Sequence, residues 1–284
     1  MQKVLIIGIT GMLGSTLLKK LTSNSQLDVY GTSRKSNPIK SHEDIKYKHI
    51  GNLDILHDNI VFDHISSVKP DIIINCAGVI KQIKDAQNPL DILPINSLFP
   101  HKLEKFCSSK KIRLIHISTD CVFSGRKGNY KEEDISDAED LYGKSKYIGE
   151  VYGENSLTLR TSIIGHENGT SNSLLEWFLS QSNATEGFKN AIFSGLTTLE
   201  LSSIIEVVII KFKDLSGFYQ VSSKPISKFD LLTLIKEIYE KDIDINPSYK
   251  VKINRSLNSE KFQNKTGILI PDWRNMIKSM HKFH

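Results

Sequence analysis

The chain has little of what staples or anchors a protein. Its 284 residues include only three cysteines, two tryptophans and eight prolines. Cys76, Cys107 and Cys121 are odd in number and show neither C-x-x-C nor Cys/His spacing, which argues against a disulfide framework and a zinc site. No metal-ligating residues are expected, metal dependence stays open, and a reducing, cytoplasmic setting fits. No apolar run reaches the roughly 18 residues that span a membrane. Residues 4–18 are apolar enough to suggest a signal peptide, but Gly8, Gly11 and Gly14 interrupt them and no small-residue cleavage site follows. Nor does one sign of charge dominate: 37 lysines and arginines stand against 32 acids, a net +5, with the lysines scattered among the acids. That balance suits a small anionic ligand better than nucleic acid. A chain this long buries enough apolar surface to fold without staples, as one large α/β unit or two small domains sharing a core.

What is present is a rhythm. The apolar runs "KVLIIG", "LDVYG", "DIIINCAG", "RLIHIST" and "SLTLRT" alternate with helix-like segments before residue 166. Near-continuous apolar strands between helices imply a parallel sheet covered on both faces. From residue 166 the rhythm changes. "SNSLLEWFLSQS" and "SKFDLLTLIKEIYEK" read as capped helices, "GFYQVSS" as another buried strand, and a last helix is expected to start at Pro271. The expected architecture is a doubly wound, Rossmann-type parallel sheet with a smaller C-terminal α/β lobe. Residues 1–165, with returns near 192–222, would form the first part, and 166–191 with 223–284 the second.

"VLIIGITGMLGSTLL" places Gly8, Gly11 and Gly14 between a strand and a helix. Glycine permits the tight turn and lets the backbone approach a pyrophosphate, which then lies against the free N–H groups and positive end of the helix. The spacing is G-x-x-G-x-x-G, a variant of the dinucleotide fingerprint; a bare strand-to-helix turn is its bland alternative. After the second strand, where an acid often holds the ribose 2′-hydroxyl, the chain has Ser33, Arg34 and Lys35, and no carboxylate until Glu43. A guanidinium and an ammonium suit a 2′-phosphate, so NADPH is expected over NADH, unless the loop is simply solvated. "YGKSK" sets Tyr142 and Lys146 on one helix face, a spacing that by itself decides nothing among nine tyrosines.

Taken in order, the glycine turn, "NCAG" at 75–78, "INSLFP" at 95–100, "ISTDCVFSG" at 117–125 and "YGKSKYIGE" at 142–150 resemble the extended short-chain dehydrogenase/reductases, and among them the dTDP-4-dehydrorhamnose reductase family. The resemblance runs nearly the whole length, through "SGLTTLELSSII", "NRSLNSEKF" and "PDW". It implies a catalytic Thr119, Tyr142 and Lys146, with Asn96 in support. It implies that Thr10, Met12 and Leu13 join the glycines at the cofactor, followed by Asn52, Leu53, Cys76, Ala77 and Gly78, with Lys146 on the nicotinamide ribose. It implies substrate contacts at Lys81, Asp120, Cys121, Phe123, Trp177, Thr198 and Arg255. The chemistry asks for these types. Hydride arriving on a ketone carbon leaves alkoxide charge that a neutral donor must protonate, and a nearby ammonium would bring the phenol toward a useful pKa.

The implied activity is NADPH-dependent reduction of a 4-keto-6-deoxy nucleotide sugar for surface polysaccharide, with a homodimer open as its assembly. The family's dehydratase cousins carry Thr-Asp-Glu where this chain has Thr119, Asp120 and Cys121, which argues against 4,6-dehydration. Many rhamnose-pathway reductases have an aromatic at Cys121, so UDP-linked amino sugars are also candidates. Two rivals stay open: a 4-epimerase, against which Arg34 speaks, and a regulatory subunit like the partner of methionine adenosyltransferase. His116 reads as a satisfied core histidine, and Asp63 and His64 as helix-face residues. Of Trp177 and Phe178, one is core and one pocket wall. Arg255 either meets a diphosphate or lies on the surface.

Overall fold

The computed structural model describes residues 1–36, 45–81, 87–167, 169 and 171–284, so Glu43 lies outside the described residues. Seven parallel strands form the central sheet: β1 (Gln2–Ile7), β2 (Leu27–Thr32), β3 (Lys48–Ile50), β4 (Ile72–Asn75), β5 (Arg113–Thr119), β6 (Ser156–Thr161) and β10 (Gly217–Gln220). Their order, β10-β6-β5-β4-β1-β2-β3, reverses direction between β1 and β4. That switch point opens a crevice at the carboxyl ends of the two strands, where such sheets bind ligands.

The strands are apolar on both faces because both faces are covered. Val4 and Ile6 pack with Leu17 and Leu21 of α1 (Met12–Thr22), whereas Leu5 and Ile7 pack with Val61 and Ile65 of α2 (Asp58–Val68) and with Phe99 and Leu103 of α4 (Phe99–Lys110). Alternate residues of one strand thus feed two cores. The first of these cores continues under α7 (Thr198–Lys211) to α8 (Lys228–Ile238) and α10 (Trp273–Phe283), so the later elements share it.

A second sheet of three strands, β11-β8-β12, lies beyond the first: β8 (Ala184–Phe193) is flanked by antiparallel β11 (Ile226–Ser227) and parallel β12 (Asp244–Asn254). A short ladder joins β7 (Ile163–Ile164) to β9 (Leu196–Thr197). The strand read at "GFYQVSS" returns to the edge of the main sheet beside β6. The two read helices are α6 (Leu174–Ser180) and α8, capped by Ser173 and Ser227. The last helix begins later than expected. Asp272 caps it by accepting from Asn275 N at 2.8 Å, so Pro271 precedes the cap instead of occupying the first turn. α3 (Pro89–Leu93), α5 (Leu141–Ile148) and α9 (Glu260–Thr266) are the remaining α-helices among the described residues. Among the described residues no helix is long and apolar enough to cross a membrane.

Candidate active site

Gly8, at the end of β1, has φ +90°, a conformation open to glycine, and a Cβ there would come within 3.1 Å of Ala77 N. A Cβ on Gly14 would lie 2.2 Å from Gly8 O, so α1 packs against the turn only because that side chain is missing. Gly11 caps α1 without a side-chain hydrogen bond, and no acid occupies the first turn. The N–H groups of Met12 and Leu13 and the positive helix end are left for an anion, and the turn that carries Thr10 leads into them. On the neighbouring strand Ser33 is buried and bonds Lys35 O at 2.9 Å and His49 Nε2 at 2.8 Å. Leu53 N donates back to Ser33 O at 3.0 Å, and Asn52, at φ 55°, donates to Lys35 O at 3.3 Å. Arg34 and Lys35 remain exposed, with no ion pair among the described residues. The cradle and the basic edge therefore fit a dinucleotide with a phosphorylated ribose.

Across the crevice Asn75 Oδ1 accepts from Ala77 N at 3.2 Å and fixes the turn through Cys76 to Gly78. Asn96 lies in a π-helical stretch, Pro94–Leu98, of the kind found at functional sites. Its Oδ1 accepts from Val79 N at 2.8 Å, while its Nδ2 donates to Val79 O at 3.0 Å and Ser145 Oγ at 3.2 Å. Being 1% exposed, Asn96 acts by clamping that turn to α5. Two glycines let α5 come close: a Cβ on Gly143 would meet Cys121 O at 2.2 Å, and one on Gly149 would meet Asn96 O at 1.9 Å. Asp140 caps α5, accepting from Gly143 N at 2.8 Å, and is held by Lys81 Nζ at 2.6 Å.

Thr119 ends β5, and its hydroxyl accepts from Cys121 N at 3.2 Å. Tyr142 is half-buried, and its phenol is raised above the ordinary range, first by burial and then by Cys121, Asp120 and Asp140; the Thr119 hydroxyl pulls the other way. Lys146, one turn further along α5, donates its ammonium to Ile117 O at 2.8 Å, and burial lowers it to about 8. Burial also raises the Asp120 carboxyl, against the pull of Arg255 and Lys228. The Cys121 thiol is pushed up to about 12, chiefly by burial and by Asp120, which leaves it protonated and inert.

The remaining expected residues scatter. Phe123 is fully buried and stacks on Tyr130 with centroids 4.0 Å apart, so it offers the site only its carbonyl, which accepts from Arg255 Nε at 2.7 Å. Arg255 Nη1 also lies 3.9 Å from Cys121 Sγ, which brings this arginine into the site instead of onto the surface. Phe178 is core, whereas Trp177 is 37% exposed. Thr198 is buried against α1, its hydroxyl 3.1 Å from Thr16 Oγ1. His116 is only half satisfied: Nδ1 faces Asn75 Nδ2 at 3.2 Å and, among the described residues, Nε2 lacks a partner, while burial keeps the ring neutral. Asp63 and His64 are exposed on α2. Sequence reasoning missed Lys228 of α8, whose charge reaches Asp120 and Cys121. Its signal was a lysine in the first turn of a capped helix, at the end where a cation is disfavoured.

A doubly wound parallel sheet with a glycine cradle at its switch point, and with threonine, tyrosine and lysine gathered across the crevice, defines a class: the Rossmann-type extended short-chain dehydrogenase/reductases. Within it the chain belongs to the RmlD substrate binding domain family, matched over residues 1–283. It is 26% identical over 310 residues to the dTDP-4-dehydrorhamnose reductase of Aggregatibacter actinomycetemcomitans, covering 100% of this chain and 99% of that protein. It is also 32% identical over 154 residues to methionine adenosyltransferase 2 subunit beta of Bos taurus, covering 52% of this chain and 42% of that one. Among solved structures, dTDP-4-dehydrorhamnose reductase of Bacillus anthracis in complex with NADP superposes with a TM-score of 0.83 at 21% identity, over 99% of both chains.

Proposed function

We propose that the chain is an NADPH-dependent reductase of a 4-keto-6-deoxy nucleotide sugar, serving surface polysaccharide biosynthesis in the cytoplasm. The observation that carries this reading is the convergence of Thr119, Tyr142 and Lys146 opposite the cradle of Gly8, Gly11 and Gly14. The full-length similarity to the Aggregatibacter dTDP-4-dehydrorhamnose reductase supports it.

When bound, NADPH supplies the hydride. Tyr142 delivers the proton to the ketone oxygen. Its raised phenol keeps that proton loaded near neutral pH, which is the state reduction needs. Thr119 orients the same oxygen by donating its hydroxyl, and Lys146, next to Cys76, holds the ribose end with its ammonium. Ser33, Arg34 and Lys35 select the 2′-phosphate through charge-assisted hydrogen bonds. On this reading residues 1–165, with the return near 192–222, hold the dinucleotide, and 166–191 with 223–284 hold the sugar. A homodimer is compatible with it.

The test is NADPH oxidation by purified protein against a panel of enzymatically generated 4-keto nucleotide sugars, dTDP- and UDP-linked. Turnover with at least one is expected. A second reading, a regulatory subunit, is favoured by the similarity to the methionine adenosyltransferase subunit. Turnover with none, together with tight association with another enzyme, would establish that reading instead.

A further inference from the structure

We propose, resting on the reading of the crevice as a dinucleotide site, that His116 is a positioning residue: its Nδ1 fixes the orientation of the Asn75 amide and thereby holds the turn of residues 76–78 against the glycine cradle. The two residues are register partners on adjacent strands, His116 on β5 and Asn75 on β4, and both are 1% exposed or less. Register partners present their side chains to the same face of a sheet, so the two can meet. Asn75 Nδ2 lies 3.2 Å from His116 Nδ1, and Asn75 Oδ1 lies 3.2 Å from Ala77 N. A backbone N–H can only donate, so the end of the amide that meets Ala77 is the oxygen. The end that meets His116 is then the NH2 group, Nδ1 is its acceptor, and the imidazole proton resides on Nε2.

That Nε2–H is fully buried and, among the described residues, has no acceptor. A leucine at the same place would fill the sheet without an orphaned donor, so the imidazole is costly as packing alone. Its benefit lies at Nδ1. Burial lowers the ring's pKa well below the ordinary value, so Nδ1 stays an acceptor at neutral pH. With no acceptor there, Asn75 Nδ2 would be buried without a partner, and the amide could turn over to set an N–H against the Ala77 N–H. The turn would then lose a side-chain anchor and keep the Asn96 clamp, which accepts from Val79 N at 2.8 Å and donates to Val79 O at 3.0 Å. The turn has a defined place to keep. A Cβ on Gly8 would lie 3.1 Å from Ala77 N and 3.2 Å from Ala77 Cα, so the turn rests directly on the cradle that faces the dinucleotide.

The experiment measures NADPH and NADH affinity by calorimetry on the full chain and on its variants His116→Leu and His116→Asn. Leucine fills the site but accepts no hydrogen bond; asparagine leaves space yet can set Oδ1 where Nδ1 was. His116→Leu is expected to bind both cofactors about 3- to 10-fold more weakly, the worth of one hydrogen bond. His116→Asn should recover most of that loss although its Tm is the lower, because it leaves a cavity. In an Asn75→Leu background His116→Leu should cost no further affinity, since the histidine acts through the amide. Nitrogen NMR shifts of the parent's His116 ring should be those of the Nε2–H tautomer. Parent-level affinity in both variants, losses that follow Tm instead of the acceptor, additive losses in the double variant, or an Nδ1–H tautomer would each overturn the inference. The tautomer is read from the parent alone, so it decides the matter even where a variant does not fold. A parent that binds neither cofactor would remove the dinucleotide reading as well, whereas the other results leave that reading standing.

Discussion

At the scale of single residues the site is governed by burial more than by pairing. Tyr142, Asp120, Cys121, Lys146 and Lys228 all shift toward their neutral forms, and desolvation is the first cause in each. For a reductase this is useful, since the proton donor has to be loaded when the ketone arrives. Tyr142→Phe should leave NADPH affinity within a few-fold and lower turnover by about 100-fold or more, the loss expected for a general acid. Near-normal turnover in the folded variant would remove Tyr142 from that role. Lys146 carries a pH signature of its own. Its folded value of about 8 lies below the ordinary 10.5, so between those values the unfolded chain binds more protons and the lysine's contribution to stability rises with pH. Lys146→Met should therefore be the more stable protein at neutral pH, with the difference in Tm closing as pH climbs through that window. A difference that widens with pH would mean that the ammonium is stabilised by the fold. At the other end of the crevice, neutralising Arg34 and Lys35 together should weaken NADPH far more than NADH, and raised salt should reproduce part of the loss in the parent. Equal losses measured for the two cofactors would exclude a 2′-phosphate site.

At the scale of elements, close approach decides function. α5 lies on the turn after β5 because Gly143 has no side chain; a methyl group there would sit 2.2 Å from Cys121 O, a backbone atom that has little room to move. Gly143→Ala should cost about 1–3 kcal/mol, the usual scale of overpacking, and should reduce turnover more than cofactor affinity because it displaces Tyr142 from Thr119. Denaturant unfolding and separate NADPH titrations would check both halves. Much of this was legible. "YGKSKYIGE" and "ISTDCVFSG" named the two elements, and the glycines were in plain sight. The pressing of one element upon the other was not, because Gly143 and Cys121 are neighbours only after folding. Pro271 was misread for a related reason: proline suits both a first helical turn and the residue before a cap, and Asp272 decides between them.

At the scale of the molecule, a buried ion pair ties the sheet to the site. Glu150 accepts from Arg160 Nε at 3.0 Å and Arg160 Nη2 at 2.8 Å, and also from Ser118 Oγ at 2.6 Å. Arg160 lies between the Phe123 and Phe218 rings, at 4.9 and 4.4 Å from their centroids, so the pair joins β5, β6, β10 and the turn that follows α5. Glu150→Gln leaves the guanidinium buried without its counter-charge and should cost about 3–5 kcal/mol. A loss below about 1 kcal/mol in equilibrium unfolding would show that water or relaxation compensates it. Neither partner looked functional in the sequence, since a glutamate and an arginine ten positions apart carry no pattern.

What the sequence determined by itself was local and periodic. Apolar runs specified the parallel strands, glycines at fixed spacing specified the phosphate turn, and the ordered motifs specified the family, because each depends on residues close together in the chain. Tertiary structure alone decided which side chains share a space. It brought the charge of Lys228 within reach of Asp120, turned Arg255 inward onto Cys121, buried Phe123 in a stack with Tyr130, and put Thr198 against Thr16. It also formed the three-stranded sheet of β11, β8 and β12, whose strands are far apart in sequence. Long-range contacts of this kind are selected by the shape and polarity of the whole core, and no window along the chain contains both partners.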